Sequence, residues 1–198
     1  PNWLELAGWS FWPAWSASAC LLSISAWTIS RKKPRLSPVI CNTSPLYYLH
    51  QLNLLPLLPA LFGSIWVPQA VCDELAQGAK TGCQIPDLAQ NPWIVAQSVV
   101  LDPGIAALDH LGDGEKAVLS LGLLHPKGLL ILDDLAARQT AEQNSLNLIG
   151  TLGILLAAKK QGHLNEIGPV LHDLTQQGFH LKLDLHNSIL RRAGEPEI

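Results

Sequence analysis

The most informative stretch of the sequence for the fold is GDGEKAVLSLGLLHPKGLLILDDLAAR, residues 112–138. Its run of four apolar residues at 129–132 is typical of a parallel strand that helices cover on both faces. Before this strand, apolar residues recur at helical spacing, and a turn at residues 125–128 separates the two segments. The stretch therefore predicts a helix, a turn, a buried strand and a second helix.

Four acidic side chains of this stretch are expected to meet at one edge of a sheet. Asp113 is placed to cap the helix and Glu115 lies in its first turn, whereas Asp133 and Asp134 follow the strand directly. Ligands of open parallel sheets bind at the carboxyl ends of the strands. The four acids therefore mark a candidate site, although each also has a structural interpretation as a helix cap or a partner of the helix dipole.

From Val39 onwards, short apolar runs alternate with helical patterns. Further strands are predicted at residues 39–41, 65–67, 93–100 and 147–149, with an edge strand at 179–183. Helices are predicted after Ser44 as cap, in two short pieces broken at Pro56 and Pro59, at 69–77 up to Gly78, at 151–161, at 166–177 and before Gly194, with a turn at 102–104. This alternation predicts an α/β fold, a three-layer α/β/α sandwich with a central parallel sheet.

The first 38 residues differ in composition from the rest of the chain. Five of the seven Trp lie in the first 27 positions, and no charged residue occurs from position 6 to position 30, before the basic segment RKKPR at 31–35. Three interpretations remain open: a disordered or non-native extension, a membrane anchor, or a structural segment. We place the boundary at Pro38, which gives an extension at 1–38, a domain at 39–194 and a tail at 195–198.

The charge balance of residues 39–198 argues against a nucleic-acid binder that relies on a basic face. This part of the chain holds 9 basic and 15 acidic residues, a net charge of −6. A protein whose acids bind divalent cations has such a balance, because the metal supplies the positive charge. A zinc site is not indicated, since the four cysteines lack paired spacing and the histidines are scattered.

Five ordered segments of the domain carry a family resemblance. They are VICNTSPLYYLHQL from Val39, VPQAVCDEL from Val67, GDGEKAVLSL from Gly112, LLILDDLAAR from Leu129 and GTLGILLAAKKQG from Gly150. Together they resemble the PIN-domain family, in particular a bacterial and archaeal subfamily. The resemblance covers about residues 39 to 194 and implies a metal-dependent nuclease that acts most often on RNA. Many members of the family are the toxin half of toxin–antitoxin pairs.

The resemblance also implies a set of site residues. The family's acidic set, with catalytic and metal-binding roles, falls on Asn42, Glu74, Glu115 and Asp134, with Asp133 as an adjacent metal ligand and with Thr43 and Ser44 as polar support. The expected metal is Mg²⁺ or Mn²⁺, which oxygen ligands bind. Two nearby basic residues, Lys116 and Arg138, are expected to contact the RNA backbone.

Asn42 departs from the pattern, because characterised PIN nucleases usually have Asp at this position. An amide oxygen can coordinate a hard cation, but it lacks the charge that holds the ion tightly and cannot act as a base. Two functions therefore remain open: an endoribonuclease that hydrolyses single-stranded RNA with Mg²⁺ or Mn²⁺, and a catalytically weak or idle domain that binds RNA or protein. We expect a cytoplasmic protein whose partners are RNA, an antitoxin protein and a second copy of the chain, and we expect no membrane partner.

Overall fold

The computed structural model describes residues 37–197, so the predictions for residues 1–36 and for residue 198 lie outside the described residues. Five parallel strands form one sheet in the order β3-β2-β1-β4-β5. The strands are β1 (Val39–Cys41), β2 (Ile65–Pro68), β3 (Ile94–Gln97), β4 (Leu129–Ile131) and β5 (Asn147–Ile149). All residues of β1 and β4 are buried, as the continuous apolar runs predict.

The strand order reverses between β1 and β4. From β1 the chain adds β2 and then β3 on one side, and it then returns to add β4 and β5 on the other side. Cys41 at the end of β1 lies beside Ile131 at the end of β4, so the two strands end at the same level. The crevice at such a reversal is where open α/β sheets bind ligands.

Helices follow each strand or connect it to the next within residues 37–197. They are α1 (Thr43–Gln51), α2 (Leu57–Phe62), α3 (Gln69–Lys80), α4 (Pro103–Ala106), α5 (Asp113–Leu124), α6 (Leu135–Gln143), α7 (Thr151–Lys160), α8 (Gly168–Gln176) and α9 (Leu183–Ala193). A short 3₁₀ helix spans Leu88–Gln90. No helix of these residues is both long enough and apolar enough to cross a membrane.

The helices form two layers around the sheet. Helices α1, α2 and α9 pack on α7, while α5 packs on β1, β2 and β4 and on its neighbours α4 and α6. One continuous hydrophobic core joins the layers to the strands between them. The predicted three-layer α/β/α sandwich is therefore confirmed.

Two of the predicted strands differ from the structure. The strand predicted at 93–100 is paired only over Ile94–Gln97, because its neighbour β2 ends where α3 begins and offers no partner beyond Pro68. Residues 179–182 form no strand, and α9 begins at Leu183. The apolar residue that suggested a strand here, Phe179, instead packs edge-on against Tyr48 with ring centroids 5.1 Å apart.

The helix ends also differ in detail from the predictions. Helix α3 passes through Gly78 and stops after Lys80, where Gly82 adopts a positive φ of 86°. Helix α1 starts at Thr43, so Asn42 is its cap residue and Ser44 lies inside it. Gly112, not Asp113, precedes the first residue of α5.

Two smaller predictions fail near prolines. Residues 103–106 form the short helix α4 rather than a turn, because the Asp102 carboxylate accepts hydrogen bonds from the backbone N–H groups of Gly104 and Ile105. Pro59 does not break a helix. It lies in the first turn of α2, where the N–H group that proline lacks would have no helical partner.

Candidate active site

The candidate site lies at the carboxyl ends of β1 and β4, beside the reversal of strand order. Asn42 directly follows β1, and its backbone N–H donates to the carbonyl of Ile131 at 3.1 Å. Asp133 and Asp134 follow β4 after one further residue. The topology thus brings polar side chains from two separate parts of the chain to the same edge of the sheet.

Glu74 reaches this edge from α3. Its Oε1 accepts a hydrogen bond of 2.8 Å from the backbone N–H of Gly114 in α5, and its Oε2 accepts one from the hydroxyl of Thr43 in α1. Burial raises the pKa of the Glu74 carboxyl, while these two hydrogen bonds lower it. Glu74 is therefore held between the first turns of two other helices, where their dipoles favour a negative charge.

Glu115 is a buried carboxyl group whose pKa responds to the charges of both Glu74 and Asp134. Its side chain is only 4% exposed and accepts a 2.9 Å hydrogen bond from the backbone N–H of Gly112. Burial raises the pKa of Glu115 to about 8, and the charges of Asp134 and Glu74 add to this rise. A carboxyl group in these surroundings is protonated at neutral pH unless a cation compensates its charge.

Asp134 is half-buried and caps α6. Its Oδ1 accepts a 2.8 Å hydrogen bond from the backbone N–H of Ala137, so the structural role predicted for this residue is confirmed. Its charge raises the pKa of the Glu115 carboxyl. One residue thus both caps a helix and contributes charge to the candidate site.

Asp133 has a different environment, because both of its oxygens bind one residue. Oδ1 accepts from the backbone N–H of Thr151 at 2.8 Å, and Oδ2 accepts from the Thr151 hydroxyl at 2.6 Å. Burial raises the pKa of Asp133, and these bonds, together with the Arg138 charge, oppose the rise. The observed contacts give Asp133 a structural role, and its role as a metal ligand stays a prediction.

Arg138 corrects one prediction. We expected it to contact an RNA backbone, but it is only 3% exposed and its Nη1 donates to the carbonyl of Leu132 at 2.9 Å. A guanidinium group inside the protein supports the end of β4 and is not presented to a ligand at the surface. Lys116, in the first turn of α5, is half-buried, and its contact with RNA stays a prediction.

Asn42 and Ser44 hold polar atoms that lack partners. Both side-chain atoms of the Asn42 amide and the Ser44 hydroxyl oxygen are buried, and none of them makes a hydrogen bond within the described part of the chain. Leaving such groups unpaired costs about 1–3 kcal/mol each, so natural proteins rarely do it without a function. The role of Asn42 as a metal donor and that of Ser44 as polar support stay predictions.

The oxygen donors of the candidate site fit a hard divalent cation that is held by one or two carboxylates. The carboxylates of Glu74, Glu115 and Asp134 and the amide oxygen of Asn42 are the oxygen donors that Mg²⁺ and Mn²⁺ prefer. Within residues 37–197, however, no three Asp, Glu, His or Cys side chains lie close enough together to hold one ion. Mg²⁺ is commonly held by one or two carboxylates, with water and substrate phosphate completing its shell, and the residues present fit that mode.

Sequence reasoning missed two glycines that shape the site. The backbone N–H of Gly112 binds Glu115 and that of Gly114 binds Glu74. A Cβ atom on Gly114 would lie 2.6 Å from Oε2 of Glu74. Glycine in the first turn of a helix signals a close approach of another group, but nothing in the sequence identifies that group as a residue 40 positions away.

Comparison with known proteins agrees with this geometry. A family model described as a PIN domain (DUF3368) matches residues 38–195, which include every element of the sheet and all the site residues discussed above. No curated protein and no solved structure matches the chain. The match extends over most of the chain, and the three-layer α/β/α sandwich of the structure is consistent with a PIN domain. The chain belongs to the PIN-domain family.

Proposed function

We propose that this protein is a metal-dependent endoribonuclease that hydrolyses phosphodiester bonds of single-stranded RNA. One observation carries the proposal: Glu74 of α3 binds the first turn of α5, which carries Glu115, and Asp134 follows β4 beside the reversal of strand order. The charges of Glu74 and Asp134 both raise the pKa of Glu115, and a divalent cation would relieve this repulsion between like charges. Membership of a family with a nuclease-type fold supports the same conclusion.

The residues of the site would have two roles, metal binding and the positioning of the metal ligands. Two of the three carboxylates of Glu74, Glu115 and Asp134 would hold Mg²⁺ or Mn²⁺ directly, with the amide oxygen of Asn42 as a further donor and water completing the shell. The ion, when bound, would make a water nucleophilic at neutral pH and neutralise charge on the phosphate. Gly112 and Ala137 keep the Glu115 and Asp134 carboxylates in place through their backbone N–H groups.

The charge of the chain supports a role for metal in RNA binding. Residues 39–198 carry a net charge of −6, and the sequence forms no basic run in this part of the chain. A polyanion binds such a surface only where cations offset the repulsion. Lys116 is the basic residue that we propose to contact the RNA backbone beside the site. We further propose, from the family resemblance, an antitoxin protein and a second copy of the chain as partners.

A second candidate function is a PIN domain that binds RNA or protein without cleaving it. Asn42 favours this candidate, because an amide replaces the carboxylate expected at the end of β1. The absence of any three metal-binding side chains in close proximity within residues 37–197 favours it as well. In this case Glu115 would remain protonated and the carboxylates would serve only to cap helices.

Incubation with single-stranded RNA separates the two candidates. The nuclease should cleave the RNA in millimolar Mn²⁺ and not in EDTA, and the double variant Glu115→Gln, Asp134→Asn should be inactive while it stays folded. Both substitutions keep an oxygen that can accept the hydrogen bond from Gly112 or Ala137. RNA that is bound but remains intact under all conditions would establish the binding module.

A further inference from the structure

Among the glycines of residues 37–197, Gly114 makes the closest approach to a carboxylate of the proposed site. Its backbone N–H donates to Oε1 of Glu74 at 2.8 Å. A Cβ atom at this position would lie 2.6 Å from Oε2, 2.7 Å from Oε1 and 2.8 Å from the carboxyl carbon of Glu74. These separations are well below van der Waals contact, so the carboxylate occupies the space that any other residue would fill.

Thr43 makes the second contact to this carboxylate. Its hydroxyl donates to Oε2 of Glu74, so the two oxygens of Glu74 bind two different helices, α5 and α1. Thr43 is itself 1% exposed and cannot turn freely away from the contact. The carboxylate of Glu74 is thus seated by one backbone group and one buried hydroxyl.

The helix itself gains nothing from glycine at this position. Gly114 has ordinary helical backbone angles in the first turn of α5, where alanine is the better helix former. Its φ is not in the left-handed region, so the backbone does not require glycine either. The atoms nearest to a side chain at this position are those of the Glu74 carboxylate, so the requirement for glycine comes from Glu74.

We propose that Gly114 is a positioning residue for metal binding: its N–H and its missing side chain fix the Glu74 carboxylate where it faces the cation. This inference rests on the proposed function, because it takes Glu74 to be a donor to that cation. Alanine at this position would push the flexible end of Glu74 off the N-terminus of α5. The fold would survive, since a carboxylate at the end of a side chain moves more easily than backbone.

Calorimetric titration with Mn²⁺ tests the proposal without any assay of RNA cleavage. Gly114→Ala should weaken Mn²⁺ binding by about tenfold or more, the usual effect of losing a residue that orients a metal ligand. Gly168→Ala is the matched control, since Gly168 also opens a helix and binds a carboxylate, that of Glu195, away from the site. Equal Mn²⁺ affinity in Gly114→Ala and the wild type would overturn the proposal.

Thermal unfolding in EDTA adds a readout that needs no metal. If Gly114 acts through Glu74, Gly114→Ala should raise the midpoint in the Glu74→Ala background, where the space is open and alanine favours the helix. In the wild-type background the same substitution should give no such rise. The same change in both backgrounds would show that the two residues are not coupled and would overturn the proposal.

The two measurements also separate this inference from the proposed function. If the wild type binds no Mn²⁺, the metal-dependent function fails and with it the role of Gly114 toward metal, whatever the coupling in EDTA. If the wild type binds Mn²⁺ and Gly114→Ala binds it equally well, only the role of Gly114 fails. Weakened binding in Gly114→Ala, coupling in EDTA and unchanged binding in Gly168→Ala together support the proposal.

Discussion

Thr151 binds both oxygens of the Asp133 carboxylate, through its backbone N–H at 2.8 Å and its hydroxyl at 2.6 Å. The pair joins the end of β4 to the start of α7, which follows β5 in the chain. Gly150 has no room for a side chain here, because a Cβ atom would lie 2.8 Å from Oδ1 of Asp133. The contact is therefore a fixed structural tie at the base of the candidate site.

This tie predicts a loss of stability when the hydroxyl is removed. Thr151→Val should lower the free energy of unfolding by roughly 1–3 kcal/mol, because a buried carboxylate oxygen loses its donor. Urea unfolding in EDTA measures the effect, and Thr151→Ser, which keeps the hydroxyl, should lose less. An unchanged stability in Thr151→Val, combined with weaker Mn²⁺ binding in Asp133→Asn, would assign Asp133 to the metal instead.

Glu115 predicts how the stability of the metal-free protein depends on pH. Its folded-state pKa of about 8 lies above the ordinary value of 4.5, so the folded state holds the proton more tightly than the unfolded state does. The contribution of Glu115 to stability should be full below about pH 4.5 and should be lost as pH rises to about 8, by an amount on the order of a few kcal/mol.

Glu115→Gln isolates this contribution. Glutamine can still accept the hydrogen bond from Gly112 but does not ionise, so its stability should fall less between pH 5 and pH 9. The urea unfolding midpoints of the wild type and of Glu115→Gln are measured in EDTA across this pH range. The difference between the two proteins removes the effect of the other titrating groups, which both proteins share. Parallel pH curves would contradict the assignment of a raised pKa to Glu115.

Glu195 predicts the opposite pH dependence. It accepts hydrogen bonds from Lys159 and from the backbone N–H groups of Ile167 and Gly168 at 2.6 and 2.7 Å, and these contacts hold its pKa below the ordinary value. Its contribution should be present at neutral pH and lost as pH falls below about 4.5.

Glu195→Gln should therefore lower the unfolding midpoint at pH 7, and the difference from wild type should shrink toward pH 3. Glu197→Gln is the control, because Glu197 pairs with Arg191 at the exposed surface, where an ion pair contributes little. Similar small effects of both substitutions at pH 7 would mean that the contacts of Glu195 do not hold α8 in place.

Removal of residues 1–36 tests the predicted domain boundary. The described core starts with β1, and the matched family model starts at residue 38. A chain that begins at Ser37 should be soluble and should give the circular dichroism spectrum of a folded α/β protein. Loss of cooperative unfolding in the shortened chain would show that the Trp-rich segment contributes to the core.

The fold could be predicted largely from local patterns. Strands β1 and β4 are unbroken apolar runs that must be covered on both faces, and this identifies the parallel sheet. Strand β3 was predicted too long because its length depends on the partner strand β2, which no local pattern reveals. The alternation around Phe179 reflected packing on Tyr48 rather than pairing with a strand.

The site was harder to predict, because its contacts join distant parts of the chain. Asn42 directly follows β1, and Asp134 lies three residues beyond the end of β4, so the sequence predicts the edge of the sheet at which these residues lie. The hydrogen bond from Gly114 to Glu74 depends on the packing of α3 against α5, and this tertiary contact cannot be read from a local sequence pattern. Arg138 was expected at the surface, as most arginines are, yet the carbonyl of Leu132 holds it inside.

Cleavage of single-stranded RNA by the wild type and by Asn42→Asp, in Mn²⁺ and in EDTA, shows whether the protein is a metal-dependent nuclease. Aspartate is nearly isosteric with asparagine and adds a negative charge that attracts the cation. Asn42→Asp should therefore cleave RNA faster and need less Mn²⁺ than the wild type. We expect slow, metal-dependent cleavage by the wild type and faster cleavage by the variant. Binding of RNA by both proteins without any cleavage would contradict this expectation.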